Sequence, residues 1–204
     1  MSSTHDPKGE KGYRAESDDF YETPLWCVER LLEAYTPPPG AWLEPCAGRG
    51  AIVFAVNKVL PNHAGWTAFD KNPVMHDALA KYSTAGTVLA PTDFLAYVPP
   101  RGYDVLMTNP PYKLAPAILS HAVRVSRVTI LLLRLSFLAT QDRNEFMKIS
   151  APDVYVLPDR PSFRGEGKTD STDYAWFVWD RAVMPRRVGH IRVLNTTPKE
   201  IRKR

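Results

Sequence analysis

The residues Val105-Leu106-Met107-Thr108-Asn109-Pro110-Pro111-Tyr112 are the most informative stretch of this 204-residue chain. The first four form a largely apolar run of the length of a buried strand. Two prolines follow, and proline ends a strand because it lacks the backbone N–H that the ladder requires. An amide, a proline carbonyl and an aromatic ring are therefore expected at the carboxyl end of a strand, where open α/β sheets bind ligands. The plainer alternative is a Pro-rich turn whose tyrosine packs on the next helix.

Strands and helices alternate along the chain on both sides of this stretch. Apolar runs predict strands at 42–44, 66–70, 87–89, 103–108, 128–133, 154–157 and 175–179, with 191–194 as a candidate edge strand. Helical spacing occurs at 24–35, 51–56, 73–82, 115–125 and 141–149, and Thr23 is predicted to cap the first of these helices. The alternation predicts an α/β fold with a doubly wound, mostly parallel, seven-stranded sheet. The last two strong strands are joined by a loop without a helix, which predicts an antiparallel strand at one edge.

The composition is that of an ordinary globular protein, with 44% hydrophobic and 24% charged residues. No apolar segment approaches the roughly 20 residues that a membrane helix needs, so no membrane partner is expected. Cys27 and Cys46 are too few for a disulfide framework or a zinc site, which favours a reducing, cytoplasmic setting and no bound metal. The predicted organisation is a flexible arm over 1–19, one domain over 20–184 and a basic tail over 185–204.

Positive charge is concentrated in the second half of the chain. Residues 1–100 hold 8 Lys/Arg and 12 Asp/Glu, whereas residues 101–204 hold 18 and 10. A basic half favours a polyanionic partner, although a solvated basic surface would give the same counts. The nucleic-acid-binding candidates lie in the loop over 158–174, and they are Arg160, Phe163, Arg164 and Lys168. The turn within this loop could enter a groove of a nucleic acid or fill the gap left by a flipped base. Further candidates in the tail are Arg186, Arg187, Arg202, Lys203 and Arg204. The alternative for the loop is an ordered, polar surface segment.

A glycine-containing turn follows the first predicted strand, in the order Glu44-Pro45-Cys46-Ala47-Gly48-Arg49-Gly50. Gly-x-Gly lets the backbone turn tightly and approach a ligand, and Asp70 ends the next strand, where an acid can accept hydrogen bonds from ribose hydroxyls. Val53 stands where a dinucleotide site needs a third glycine, and no P-loop Lys-Ser/Thr pair follows the turn. The acid Glu44 suits a cationic ligand better than a phosphate. The pattern therefore favours S-adenosylmethionine over NAD or ATP as the cofactor, while Asp70 alone could equally be a helix cap.

The order of these motifs resembles that of class I S-adenosylmethionine-dependent amino-methyltransferases, which have a Rossmann-like fold. The Thr-Pro element comes first and Asn-Pro-Pro-Tyr last, as in the gamma group of DNA adenine-N6 methyltransferases. Within that group, the chain most resembles small phage or prophage-type enzymes. The similarity covers about residues 20–180. It implies a cytoplasmic enzyme of a bacterium or a phage-infected host cell, acting on DNA.

The resemblance also implies roles for individual residues. Cofactor contacts would come from Thr23, Glu44, Pro45, Cys46, Ala47, Gly48, Gly50, Asp70, Asp93 and Phe94. Within this set, Glu44 would lie beneath the methionine amino group, Asp70 would take the ribose hydroxyls, and Asp93 with Phe94 would hold the adenine ring. A plain turn acid is the alternative for Asp93.

The catalytic residues implied by the resemblance are Asn109, Pro110, Pro111 and Tyr112. The Asn109 oxygen and the Pro110 carbonyl would accept the hydrogens of the target amino group, and Tyr112 would stack on a target base that has left the duplex. The chain has no room for a separate target-recognition domain, which puts sequence specificity in doubt. The same motif occurs in enzymes that methylate RNA guanine N2 or a protein glutamine amide, and a non-catalytic nucleic-acid-binding module is a further alternative. The oligomeric state is not indicated.

Overall fold

The computed structural model describes residues 22–82, 86–139, 141–163, 171–185 and 188–202. The strands are β1 Gly40–Glu44, β2 Ala64–Ala68, β3 Gly86–Val88, β4 Tyr103–Thr108, β5 Ser126–Arg134, β6 Asp153–Val156, β7 Tyr174–Asp180 and β8 Ile191–Val193. The helices are α1 Leu25–Ala34, α2 Ala51–Val59, α3 His76–Tyr82, α4 Ala115–Val125, α5 Asn144–Ile149 and α6 Lys199–Arg202. The predicted α/β alternation is confirmed. Within the described residues no helix has both the length and the apolar character needed to cross a bilayer.

The strands form one mixed sheet in the order β3-β2-β1-β4-β5-β7-β6-β8. Strands β1 to β5 are parallel to one another, and β8 is parallel to β6. The antiparallel strand expected from the sequence is β7, which lies between β5 and β6 and pairs with β5 from Val128↔Asp180 to Arg134↔Tyr174. The described sheet thus has eight strands where seven were predicted, and the outermost position belongs to β8.

Both faces of the central strands are buried, as their continuous apolar runs predict, whereas the outermost strands β3 and β8 are largely exposed. Successive residues point to opposite sides, so that Trp42 packs against α1 and α2 while its neighbour Leu43 packs against α4. The same alternation separates Ile130 from Leu131 in β5. Two apolar layers therefore fix the sheet between helices, and the ends of the strands are left to carry polar side chains.

Helix α1 is attached to the sheet by a buried hydrogen bond. The indole Nε1 of Trp176 in β7 donates to the backbone carbonyl of Cys27 at 2.8 Å. The residue at the N-cap of α1 is Pro24, and no side chain caps this helix end. The predicted capping role of Thr23 is therefore wrong, because its hydroxyl faces the sheet, where it accepts from Asn109.

The C-terminal segment is tied to the same sheet. Strand β8 pairs with β6, and beyond it the carboxylate of Asp159 accepts from the backbone N–H of Thr197 at 2.6 Å and from Arg202 Nη1 at 2.8 Å. Arg192 Nη1 donates to the carbonyl of Ala34 at the end of α1. Strand β8 lies where the sequence offers a candidate edge strand over 191–194, so part of the predicted basic tail over 185–204 pairs with the sheet.

Candidate active site

The candidate site lies at the carboxyl ends of β1, β2, β4 and β5, where four loops meet. Its central contact joins Thr23, before α1, to Asn109, directly after β4: Asn109 Nδ2 donates to Thr23 Oγ1 at 3.1 Å. Thr23 is almost fully buried, with 5% of its surface exposed. The contact fixes the plane of the Asn109 amide and places its oxygen Oδ1 on the branch opposite Thr23.

The glycine turn after β1 is tight, as predicted, and its two glycines have a left-handed backbone. Gly48 has φ 51° and Gly50 has φ 88°, values that side chains with a Cβ rarely adopt. The turn is closed by Gly50 N, which donates to Ala47 O at 2.7 Å. It is attached to β2 because Ala47 N donates to Phe69 O at 3.0 Å.

The carboxylate of Asp70 is the second anchor of the glycine turn. Its Oδ2 accepts from the backbone N–H of Gly48 at 2.8 Å, and its Oδ1 accepts from Asn72 N at 2.8 Å. Sequence reasoning assigned Asp70 to a ligand or to a helix cap and did not anticipate this link across the loops. Each carboxylate oxygen can accept a second hydrogen bond, so the anchoring leaves a ligand role open.

Glu44 ends β1 as a buried carboxyl beneath the turn, with 1% of its surface exposed. Burial raises its pKa well above the usual range; the backbone N–H of Val53 opposes this effect, and the negative charge of Asp70 adds to it. The atom Oε2 has no hydrogen-bond partner among the described residues. A small cavity of about 20 Å³ lies beside it, lined also by Thr23, Gly48 and their neighbours. A buried acceptor that adjoins a cavity is a natural partner for a ligand cation.

A larger cleft of about 340 Å³ opens next to this cavity and shares part of its lining. Its walls come from the segment before α1, the N-terminal half of α2 and the loop after β6, and they are formed by Glu22, Thr23, Pro24, Leu25, Arg49, Gly50, Ala51, Phe54, Ser162 and Phe163. Most of these side chains are apolar, and the position matches the edge of the sheet at which the sequence predicts a ligand.

Asp93 adopts the plainer of its two predicted arrangements. Its Oδ1 accepts from Leu95 N at 3.0 Å as the cap of a short 3₁₀ turn, and its Oδ2 accepts from Lys71 Nζ at 2.8 Å. The lysine contact and the Leu95 N–H lower the pKa of Asp93. Phe94 is buried and meets the His121 ring edge-on, with 4.6 Å between the ring centroids. A ligand amino group could reach Asp93 only by displacing Lys71 or sharing the carboxylate with it.

Tyr112 lies in a cluster of aromatic and cationic side chains. The Arg134 guanidinium lies 4.8 Å from the centroid of the Tyr112 ring, and its Nε donates to Tyr174 Oη at 3.4 Å. The Tyr112 and Tyr174 rings are 5.7 Å apart. Sequence reasoning missed Arg134 and Tyr174, although a charged residue directly after the apolar run of β5 was a usable signal.

The predicted nucleic-acid-binding residues that the structure describes lie in different surroundings. Arg160 is paired with Asp173 at 2.8 Å on the surface. Phe163 is 6% exposed and packs edge-on against Tyr174, so its ring is part of the site wall and does not project from the surface as a groove-reading side chain would. Arg202, from the tail, is held by Asp159. Arg164, Lys168, Arg186, Arg187, Lys203 and Arg204 lie outside the described residues.

No protein-family model and no curated protein sequence matches this chain. Among solved structures, the methyltransferase subunit of a type I restriction-modification system from Streptococcus thermophilus matches with a TM-score of 0.65 at 15% identity, over 90% of this chain and 52% of that one. The 23S rRNA methyltransferase ErmE matches with a TM-score of 0.60 at 18% identity, over 81% and 71%. A Listeria monocytogenes protein assigned to the class I S-adenosylmethionine-dependent methyltransferases matches with 0.58 at 14%, over 87% and 65%. This chain thus spans about half the length of the first of them. At these identities the likeness establishes the fold, which is the Rossmann-like fold of class I methyltransferases.

Proposed function

We propose that this protein transfers the methyl group of S-adenosylmethionine to the N6 amino group of adenine in DNA. The observation that carries the proposal is the hydrogen bond between Thr23 and Asn109, because it holds an amide at the end of β4 next to the glycine turn and the buried acid Glu44. The fold is that of proteins with methyl-transfer activity, and the motif order is that of amino-methyltransferases.

The residues around the glycine turn fit the cofactor chemically. S-adenosylmethionine carries an ammonium and a sulfonium but no phosphate, and the buried Oε2 of Glu44 is an acceptor suited to a cation. Thr23 and the Gly48 turn would enclose the methionine moiety, and Asp70 would accept from the ribose hydroxyls while holding the turn. Asp93 would receive the adenine amino group if Lys71 moved away. The cofactor supplies an electrophilic methyl group on sulfur.

The Asn-Pro-Pro-Tyr segment supplies the groups that act on the target nitrogen. An adenine amino nitrogen is a weak nucleophile because its lone pair is delocalised into the ring. Asn109 Oδ1 and the Pro110 carbonyl would accept its two hydrogens and turn the lone pair toward the methyl group. The cofactor, held by Thr23, Glu44 and the glycine turn, would supply the methyl group to this nitrogen, and the nitrogen would lose one proton to solvent. Tyr112 would stack on the target base, which must be extruded from a duplex to reach this depth.

Two observations favour a nucleic acid as the substrate. The second half of the chain, which contains Tyr112 and Arg134, carries 18 basic and 10 acidic residues. The Streptococcus thermophilus structure is named as a subunit of a restriction-modification system, which favours DNA. A base amino group in RNA is the second candidate, because another structural match is named as a 23S rRNA methyltransferase.

The test is to incubate the purified protein with methyl-labelled S-adenosylmethionine and, separately, with DNA, RNA and protein pools, and then to identify the methylated atom by mass spectrometry. We expect N6-methyladenine in DNA. Label in RNA alone would select the second candidate, and label in a glutamine amide would reject both. If the protein neither transferred the methyl group nor bound the cofactor in calorimetry, a non-catalytic binding role would be favoured instead.

A further inference from the structure

We propose that Arg134 is a substrate-binding residue that grips a phosphate next to the extruded target nucleotide, so that it selects a nucleic acid over a neutral amide side chain. The inference rests on the proposed function and goes beyond it, because it assigns a role to a residue outside the methyl-transfer motif.

The strand register brings Arg134 to the motif. Strands β4 and β5 are parallel, with Thr108 opposite Leu131 at the end of β4. Arg134 lies three residues after Leu131, which places it level with the Pro-Pro-Tyr turn at the same edge of the sheet. The last residue of β5 is therefore built into the wall of the candidate active site.

The side chain of Arg134 is oriented by two aromatic residues. Its guanidinium lies 4.8 Å from the Tyr112 ring centroid, and its Nε donates to the hydroxyl of Tyr174, which is fully buried. Arg134 and Tyr174 are also paired in register across β5 and β7. Because two aromatic residues hold the guanidinium, its Nη1 and Nη2 groups would lose less side-chain entropy on binding an anion than those of a mobile surface arginine.

The chemistry of these groups selects an anionic, bidentate acceptor. Arginine donates two parallel N–H groups to phosphate oxygens, and such charge-assisted hydrogen bonds are about twice as strong as neutral ones. A nucleotide whose base stacks near Tyr112 must bring its own backbone phosphates to this edge. A glutamine side chain in a protein substrate brings no such charge.

The test combines a change in Arg134 with a change in the substrate. The substrate is a nucleic acid carrying the base that the wild-type protein methylates, in which one flanking phosphate at a time is replaced by a neutral methylphosphonate. Wild-type kcat/KM should fall roughly ten- to hundredfold at one linkage, mainly through KM, since a hydrogen bond to a charged group is lost. Arg134→Gln should lose a similar factor on the unmodified substrate and show no further loss at that linkage.

Arg127 provides a matched control on the same strand. It lies at the opposite end of β5, beside Asp180 at 3.7 Å. Arg127→Gln should retain the full sensitivity to the methylphosphonate. Calorimetric binding of S-adenosylmethionine to both variants reports whether the fold is intact, and Arg134→Lys, which keeps the charge, should keep part of the sensitivity if Arg134→Gln does not fold.

The outcomes separate the two levels of inference. Equal sensitivity of wild type and Arg134→Gln at every linkage would overturn the phosphate-binding role while the methyl-transfer proposal stood. If Arg134 had a merely structural role, its replacement would lower activity on all substrates by the same factor. The effects of Arg134→Gln and of the methylphosphonate on the free energy of activation would then be additive. Failure of the wild type to methylate any nucleic acid would overturn the proposed function, and this role with it.

Discussion

At the scale of single residues, the site depends on side chains that are buried in unfavourable states. Glu44 is a carboxyl with 1% exposure and one oxygen without a partner among the described residues. Such a group costs stability unless it is neutral or paired with a cation. The proposed binding of a ligand cation would offset this cost, so Glu44 is the residue at which stability and the proposed function can be tested together.

Replacing Glu44 by Gln should separate these two effects. The raised pKa of Glu44 means that its contribution to stability is fully present below the unfolded pKa of about 4.3 and is lost as pH rises through the folded value. In the ligand-free wild type, Tm should therefore fall as the pH rises above the pKa of an ordinary glutamate. Glu44→Gln should not show this fall. The same variant should bind S-adenosylmethionine more weakly. Thermal unfolding against pH and calorimetry check both effects, and unchanged cofactor affinity would contradict the assigned role.

Replacing Asn109 by Ala should abolish most of the methyl transfer. We expect kcat to fall on the order of a hundredfold or more, by analogy with the loss of one oxyanion-hole donor. Cofactor affinity should change much less. Asn195→Ala is the matched control, because this asparagine lies on the surface near Glu33. Radiolabel transfer measures the rates, and full activity of Asn109→Ala would refute the catalytic assignment.

At the scale of elements, helix α1 and strand β7 position the two halves of the site. The bond from Trp176 to the Cys27 carbonyl anchors α1, and α1 is preceded by Thr23, which contacts Asn109. A second tryptophan of β7, Trp179, makes an equivalent bond to the Ser150 carbonyl, on the other side of the sheet. One strand therefore makes the same kind of hydrogen bond on both sides of the sheet, and only the bond to Cys27 lies near Thr23.

The pair Trp176→Phe and Trp179→Phe tests this difference. Each change removes one hydrogen bond to a backbone carbonyl and should lower the free energy of unfolding by about 0.5–1.5 kcal/mol. Only Trp176→Phe should also weaken cofactor binding and methyl transfer, because only that bond holds the element next to Thr23. Urea denaturation and transfer assays measure the two effects. Equal losses of activity in both variants would show that α1 does not communicate with the site through this bond.

At the scale of the whole molecule, the C-terminal segment closes the sheet. Strand β8 covers the edge at β6, and Asp159 clamps the segment beyond it through Thr197 and Arg202. The positive charge of Arg202 is thereby neutralised within the domain. Two described basic residues of the segment, Arg192 and Arg202, therefore make contacts within the domain.

Replacing Asp159 by Ala should release this clamp. We expect a loss of about 1–3 kcal/mol in the free energy of unfolding, since hydrogen bonds to a partly buried carboxylate are removed. Residues 195–202 should become sensitive to limited proteolysis, while methyl transfer is little affected. The control is Glu145→Ala, which breaks the exposed Lys148–Glu145 pair and should change stability by less than about 1 kcal/mol. Unaltered proteolysis of Asp159→Ala would mean that β8 pairing alone holds the segment.

The local pattern of the chain was enough to predict the α/β class, the strands that surround the site and the tight glycine turn. Each of these depends on hydrophobic period, proline or glycine, which act within a few neighbouring residues. The same locality explains the failures. The position of β7 between β5 and β6 and the helix end at Pro24 depend on which segments contact one another, and periodicity carries no information about such contacts.

The composition of the site shows the same division between near and distant neighbours. The motif residues Asn109 to Tyr112 and the acid Asp70 follow strands, so their place at the carboxyl edge comes from the sequence. The contact between Thr23 and Asn109 joins residues 86 positions apart. The unpartnered oxygen of Glu44 and the stacking of Arg134 on Tyr112 also arise only when strand order and register bring separate loops together. The sequence motifs by themselves thus predicted the reaction to be tested. The tertiary structure decided which side chains lie around the site, because burial and hydrogen bonding between distant segments exist only in the assembled sheet.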